Sequence, residues 1–340
     1  MKILPRLASQ ILLAICVLNI QIAYAVNCGD YVASNVVLTR NLECTTGSAA
    51  LHVVNNNVTI DLNGYILSGS RELAGINVIG HHNLAVKNGS IKGFWAGINS
   101  SRSDKLNVRD VTFYEVGHGV VIHAGNAARI QDNDFIKTTS TAISIKVRYK
   151  DDTANQNLIS RNEFYRAAGG ISICGAQADK NVISDNLIWK SSDYGIALNH
   201  SDRNQIYRNR ILESIDSTAL RLNNSSYNEV NDNTIREGDA TGITILGDAG
   251  DACLEREFSF SGKNRFQRNH VSNFSTAFNL GLGVFSSDRT VDGNGILNNR
   301  ISDNNIGISL RSDTRNNYGR GNDFTNTSTP VADNGVNNHF

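Results

Sequence analysis

The sequence predicts an all-β fold, a single-stranded parallel β-helix of about ten to twelve coils, on three observations. A short pattern of apolar and asparagine positions recurs along most of the chain. Its apolar residues alternate with a period of two in runs of three to five, and no 3.6-residue helical period runs through them. Gly, Asn, Asp and Ser bound the runs, with 29 glycines and only 2 prolines, the composition of many tight turns.

The repeat reads Asn-x-apolar-x-x-Asn-x-apolar, then a spacer, then Gly/Ala-apolar-x-apolar. Asn157 to Phe164 with Gly170 to Ile173 is one copy, and Asn181 to Ile188 with Gly195 to Leu198 is the next. Asn204 to Ile211 pairs with Ala219 to Leu222, and Asn228 to Ile235 with Gly242 to Ile245. Asn264 to Val271 with Ala277 to Leu280 and Asn294 to Ile301 with Gly307 to Leu310 follow. Looser copies precede them at Gly75, Gly97, Gly119 and Ala142. Without insertions the period is 22 to 25 residues. One such unit cannot bury its apolar face alone, so stacked copies share a column of Ile, Val, Leu and Phe. Asn162, Asn186, Asn209, Asn233, Asn269 and Asn299 hold one position in successive coils. Stacked about 4.8 Å apart, their amides can bond one above the next and to turn backbone.

The ends follow from the same reading. Residues 1–25 have the form of a bacterial export signal: Lys2 and Arg6, the apolar Ile11 to Ile20, then Ala23-Tyr24-Ala25 before the expected cleavage. The apolar run is too short for a bilayer of roughly 30 Å, and no later stretch suits membrane insertion. Secretion or a periplasmic location is expected. Residues 26–50 are expected to form an N-terminal cap closed by a Cys28–Cys44 bridge. The β-helix is assigned to 51–325, and the polar residues 326–340 to a loose tail. Four cysteines remain after the signal, an even count that favours disulfides in an exported chain.

Three insertions fall at one corner of the coil. The interval from the Gly/Ala strand to the next Asn is 9 to 11 residues in regular coils, but 15 after Ala142, 22 after Gly242 and 17 after Ala277. Loops rising from one corner would wall a groove along the solenoid. Cys253 lies in the longest insertion and Cys174 at that corner three coils earlier. Three coils rise roughly 14 Å, and seven extended residues reach about 23 Å, so a Cys174–Cys253 bridge is feasible.

Charge narrows the partners. Lys+Arg and Asp+Glu are 32 each, so the broad basic field of non-specific nucleic-acid binding is missing. No metal site is expected: there is no Cys-x-x-Cys, no methionine beyond the initiator, and the histidines are mostly scattered.

On the repeat quoted above, over roughly residues 50 to 325, the chain resembles the right-handed parallel β-helix of pectate-lyase-like and carbohydrate-binding/sugar-hydrolase-type proteins. It is also similar to periplasmic nitrous-oxide-reductase maturation proteins. The resemblance implies an exported protein directed at polysaccharide or serving as a maturation factor, and it specifies fold far better than chemistry. No cofactor is evident in the sequence; calcium enters by family analogy only. A local stretch, Tyr194-Gly195-Ile196-Ala197-Leu198-Asn199-His200, resembles the active-site segment of mannuronan epimerases. Ala197, Leu198 and Asn199 replace that family's Asp, Pro and His, so epimerase activity of that type is not expected.

Strand alternation selects the candidate site. One outward row reads His123, Lys146, Cys174, Asn199 and Asn223. Its neighbour includes Ser144, Ser172 and Arg221, with His118 and Tyr194 flanking and Arg148-Tyr149 in the first insertion. Cations can neutralise carboxylates, Tyr can stack on sugar rings and Asn can bond hydroxyls. Removal of a proton beside a uronate carboxylate needs a base and a cation to steady the enolate. His123, Lys146, Arg148, Tyr149 and Arg221 are the catalytic candidates. His118, Tyr194, Asn199, Asn223 and His200 are the substrate-binding ones. The expectation is a monomer that binds, and in a lyase or hydrolase reading also processes, a polysaccharide of acidic character. The alternatives are a non-catalytic carbohydrate-binding surface protein and a periplasmic maturation factor.

Overall fold

The computed structural model describes residues 26–215, 218–247, 259–281 and 289–340, with only the backbone of Ser259 and Arg289. Every strand pairing among them is parallel, and none of these residues is helical. No helix among them is therefore long and apolar enough to cross a membrane. A typical coil contributes three short strands. The first of the three forms a long sheet of 13 strands in strict chain order, from Asp30–Val32 to Thr329–Asp333. The other two form the remaining faces. In the coils of Ala85–Lys92 and Asn107–Tyr114 they merge into single eight-residue strands.

Registration explains why the repeat folds this way. Ile143, Ile171, Ile196, Leu220, Ile243, Phe278 and Ile308 are successive partners in the long sheet. All of them are fully buried. Phe113, Phe135 and Phe164 stack at 4.8 and 4.9 Å between centroids. Aliphatic and aromatic columns thus fill the lumen, each coil covering the face that the previous one leaves open.

Two asparagine ladders run down the solenoid. In the expected one, each Nδ2 bonds the next Oδ1 at about 3.0 Å from Asn162 through Asn186, Asn209, Asn233, Asn269 and Asn299. Each Oδ1 also accepts the backbone N–H of the preceding ladder member. The second ladder, Asn157, Asn181, Asn204, Asn228, Asn264, Asn294 and Asn317, was legible only as the start of the repeat. The residue before the first ladder's Asn takes φ near +55°, as at Asp132, Arg161, Asp185, Arg208, Asp232 and Arg268. Their signs alternate, so Arg161, Arg208 and Arg268 each reach back to the Asp of the preceding coil with two hydrogen bonds.

Both ends are built from coil, and the C-terminal one departs from expectation. The Cys28–Cys44 disulfide is present. The residues it closes wind as the first coil, which thereby caps the solenoid. Asp30–Val32 pairs with Leu51–Val53, Val36–Val37 with Ile60–Asp61, and Leu42–Cys44 with Leu67–Gly69. Val32, Val36 and Leu42 point into the lumen and extend the apolar column downward. The C-terminal residues are not a loose tail. Thr329–Asp333 pairs with Ile306–Leu310, and Asn322 and Asn338 continue the ladders. Their polarity is that of ladder and turn positions, which in this fold signals order.

Of the insertions, the one that begins at Val147 is described throughout. Residues 248–258 and 282–288 lie outside the described residues, as do the segment expected to be the export signal and Cys253. Cys174 is disulfide-bonded.

Candidate functional site

The outward rows of the long sheet align as alternation requires. His123 pairs with Lys146, Lys146 with Cys174, Cys174 with Asn199, and Asn199 with Asn223. Direction is as expected, but exposure is not. His123 and Lys146 are half-buried, whereas Cys174, Asn199 and Asn223 are buried at 4%, 3% and 8% exposure. Alternation fixes which way a side chain points and says nothing about what lies over it.

At the open end of the row, a cavity of about 290 Å³ is lined by Ser101, Arg102, His123, Lys146, Arg148, Tyr149 and Asp152. Three segments build it. His123 and Lys146 end adjacent strands of the long sheet, and Arg148, Tyr149 and Asp152 come from the first insertion, closed by the Asp152 N–H on the Tyr149 carbonyl at 3.1 Å. Arg102 follows the strand Ala96–Ser101 in a turn at φ +48°. Its Nε donates to Asp152 Oδ1 at 3.0 Å, and its guanidinium lies 5.6 Å from the Tyr149 ring. Asp152 raises the Arg102 pKa through these contacts. The insertion is thereby pinned across two coils, with His123 between them.

Burial, then the nearby Arg148 and Lys146 charges, lower the His123 pKa to about 4. At neutral pH its imidazole is uncharged. Nδ1 is buried without a hydrogen-bond partner. The site therefore presents cations around a neutral ring nitrogen, and Asp152, the one carboxylate among its described lining residues, is engaged by Arg102.

Four of the five catalytic candidates meet here. Arg221 does not: Ser144, Ser172, Ala197 and Arg221 are successive register partners, which places it three coils away, roughly 14 Å. Its guanidinium lies 5.2 Å from the centroid of Tyr194, and its Nε is buried and unpartnered. Tyr194 folds back over Gly169, where an added Cβ would sit 2.7 Å from the ring, and shares a hydrogen bond of 2.6 Å with Thr141 Oγ1. Burial raises its phenol pKa. His118 Nδ1 meets the Thr141 carbonyl at 2.8 Å, and burial lowers its pKa. His118 and Tyr194 therefore converge on Thr141, outside the cationic cavity. His200 is buried and hydrogen-bonded through Nδ1 to the Asn224 amide at 2.9 Å, so it sits beneath the surface instead of on an exposed turn. Asn199 and Asn223 each keep a buried Oδ1 without a partner. Among the described residues no group of three or more His, Cys, Asp or Glu is placed to hold a metal.

Sequence reasoning missed Arg102 and Asp152 as site residues. The signal for Arg102 was available: Ser101 precedes His123 in the same outward row, so the next residue borders the same corner.

A family described as "Right handed beta helix region" matches residues 96–257. With the topology above, this makes the fold a right-handed parallel β-helix. Among solved structures, it is similar to the mannuronan C-5 epimerase A-module of Azotobacter vinelandii. The TM-score is 0.60 at 13% identity, over 90% of this chain and 89% of that one. The surface adhesin PfbA of Streptococcus pneumoniae aligns with TM-score 0.60 at 11% identity, over 88% and 85%. An alginate lyase in complex with a trisaccharide aligns with TM-score 0.59 at 12% identity, over 92% and 79%. At these identities the likeness is one of fold. No curated protein matches the sequence.

Proposed function

We propose that this protein binds an acidic polysaccharide outside the cytoplasm, with one anionic sugar seated between Arg102, Lys146 and Arg148 beside His123. One observation carries the reading: cations from three different segments converge on a single small concavity in which the one carboxylate among the described lining residues, Asp152, is engaged by Arg102. A sugar carboxylate is an anion that such a cluster of cations attracts, and Tyr149, 62% exposed, offers a ring face. The fold's neighbours include enzymes named for alginate and an adhesin, which is consistent with a glycan partner. The disulfides fit an oxidising compartment, reached through residues 1–25 and cleavage after Ala25.

The unpartnered, uncharged His123 Nδ1 favours a second reading, β-elimination. His123 would accept the proton from the carbon bearing the carboxylate, while Lys146 and Arg148 steady the resulting charge. The carbon–oxygen bond to the leaving sugar breaks as the ring double bond forms, and Tyr149 returns a proton to the departing oxygen. A base with pKa about 4 is fully available at neutral pH but weak, so this chemistry leans heavily on the cations.

The test is to incubate purified protein with alginate, pectate, hyaluronan and chondroitin, following retention by affinity electrophoresis and unsaturated product by ultraviolet absorbance. Retention that is lost in Lys146→Ala/Arg148→Ala supports the binding reading. Unchanged retention in that variant, or no retention of any acidic glycan, removes it. Unsaturated product lost in His123→Ala establishes elimination, and retention without product leaves a binding protein.

A further inference from the structure

We propose that the glycan extends from the cationic cavity toward the N-terminal end of the solenoid, along the open half of the long sheet, to a second contact on the stacked rings of Tyr31 and His52. The proposal rests on the reading of the cavity as a glycan site and assigns the rest of its ligand path.

The middle outward column of the long sheet is continuous in register from Tyr31 through His52, Asn77, Asn99 and Val121 to Ser144. Its two halves differ in access. From Val121 onward the column is covered, with Val121 at 3%, Ser144 at 1%, Ser172 at 6% and Ala197 at 0% exposure. Toward the N-terminus it opens: Asn99, Asn77 and His52 are half-buried, and Tyr31 is 73% exposed. A ligand leaving the cavity along this column therefore has one open direction, opposite to the Asn199–Asn223 direction that the sequence suggested.

The chemistry along that direction suits an extended saccharide. The Tyr31 and His52 rings stack at 5.0 Å with 20° between planes, beside a concavity of about 370 Å³ that includes Asp30, Tyr31 and Ala33. Asn99 Nδ2 donates to Asn77 Oδ1 at 2.8 Å, and these two half-buried amides lie in the column between the rings and the cavity. No lysine, arginine or carboxylate belongs to the column between Tyr31 and Val121. From Tyr31 to Val121 is four sheet spacings, roughly 19 Å, a span of several pyranose units. The cavity recognises charge, and this track recognises ring faces and hydroxyls.

The experiment compares a short uronate oligomer that fills the cavity with a long one that also reaches the first coil, using calorimetric titration at low and high salt. Wild type binds the long oligomer more tightly, and the gain persists in salt because no ion pair carries it. Tyr31→Ala, at an exposed position that leaves the circular dichroism unchanged, should weaken the long oligomer about tenfold, equivalent to about 1.4 kcal/mol, and leave the short one untouched. Equal affinity for the two lengths in wild type overturns the track, as does a Tyr31→Ala variant that keeps full affinity for the long oligomer. Failure of wild type to bind either length overturns the cavity reading instead.

Discussion

Replacing Asn209 by alanine isolates what the asparagine ladder contributes. Its Oδ1 accepts both the backbone N–H and the side-chain amide of Asn186, at 3.1 and 2.9 Å. Its Nδ2 donates to the Ile183 carbonyl at 2.9 Å and to Asn233 Oδ1 at 3.0 Å. Alanine leaves two buried donors of Asn186 and the Ile183 carbonyl short of a partner. Asn233 Oδ1 keeps the Asn209 backbone N–H at 2.9 Å. Each stranded buried group costs about 1–3 kcal/mol, and water cannot reach a position at 0% exposure. The expected loss is about 3–5 kcal/mol. Because each coil touches only its neighbours, the coils of Asn186 and Asn233 should lose protection first. Urea titration with amide hydrogen exchange measures both quantities. A loss below about 1 kcal/mol, or protection lost evenly along the solenoid, would refute the claim that the ladder holds the turns together.

Three further outcomes follow. His123 has a folded-state pKa near 4 against an ordinary 6.5, so its share of stability is present above pH 6.5 and is lost as pH falls through about 4. His123→Gln should flatten that part of the stability–pH profile, and an unchanged profile would contradict the shift. Gly169→Ala places a methyl 2.7 Å from the Tyr194 ring and should cost about 1–3 kcal/mol by displacing it. Tyr194→Phe, which removes the hydroxyl's bonds to Thr141 and Ser172, should cost about 1 kcal/mol, and thermal melts rank the two. Asp132→Ala breaks the paired hydrogen bonds from Arg161, yet both side chains are about half exposed, so the change should stay under about 1 kcal/mol; a larger loss in urea titration would give the charge ladder a structural role.

The fold was legible because a coil has to repeat what its neighbour needs: an apolar residue at each lumen position and an amide at each bend. Ile171, Ile196 and Ile243 carry that signal directly. The C-terminal end was misread because its polarity was taken for looseness; Asn322 and Asn338 are polar since ladder positions are. The site was half legible. Alternation correctly put His123 beside Lys146, but it is a local rule and cannot report what covers a strand from outside, so Asn199, Asn223 and His200 were assigned to a surface they do not reach. Arg102 was missed because its partner Asp152 is 50 residues away in sequence, a contact set by the rise of two coils and the turn of an insertion. Tyr31 and His52 stood in the same column as the candidate site, but the column was followed only toward the C-terminus.

The most direct test of the account is a calorimetric comparison of a polyuronate with the same polymer after its carboxylates are reduced to alcohols. The cationic cavity predicts binding of the acid form that weakens steeply with salt and is abolished in Lys146→Ala/Arg148→Ala, with little binding of the reduced polymer. Equal affinity for the two polymers, or full affinity retained by the double variant, would contradict it.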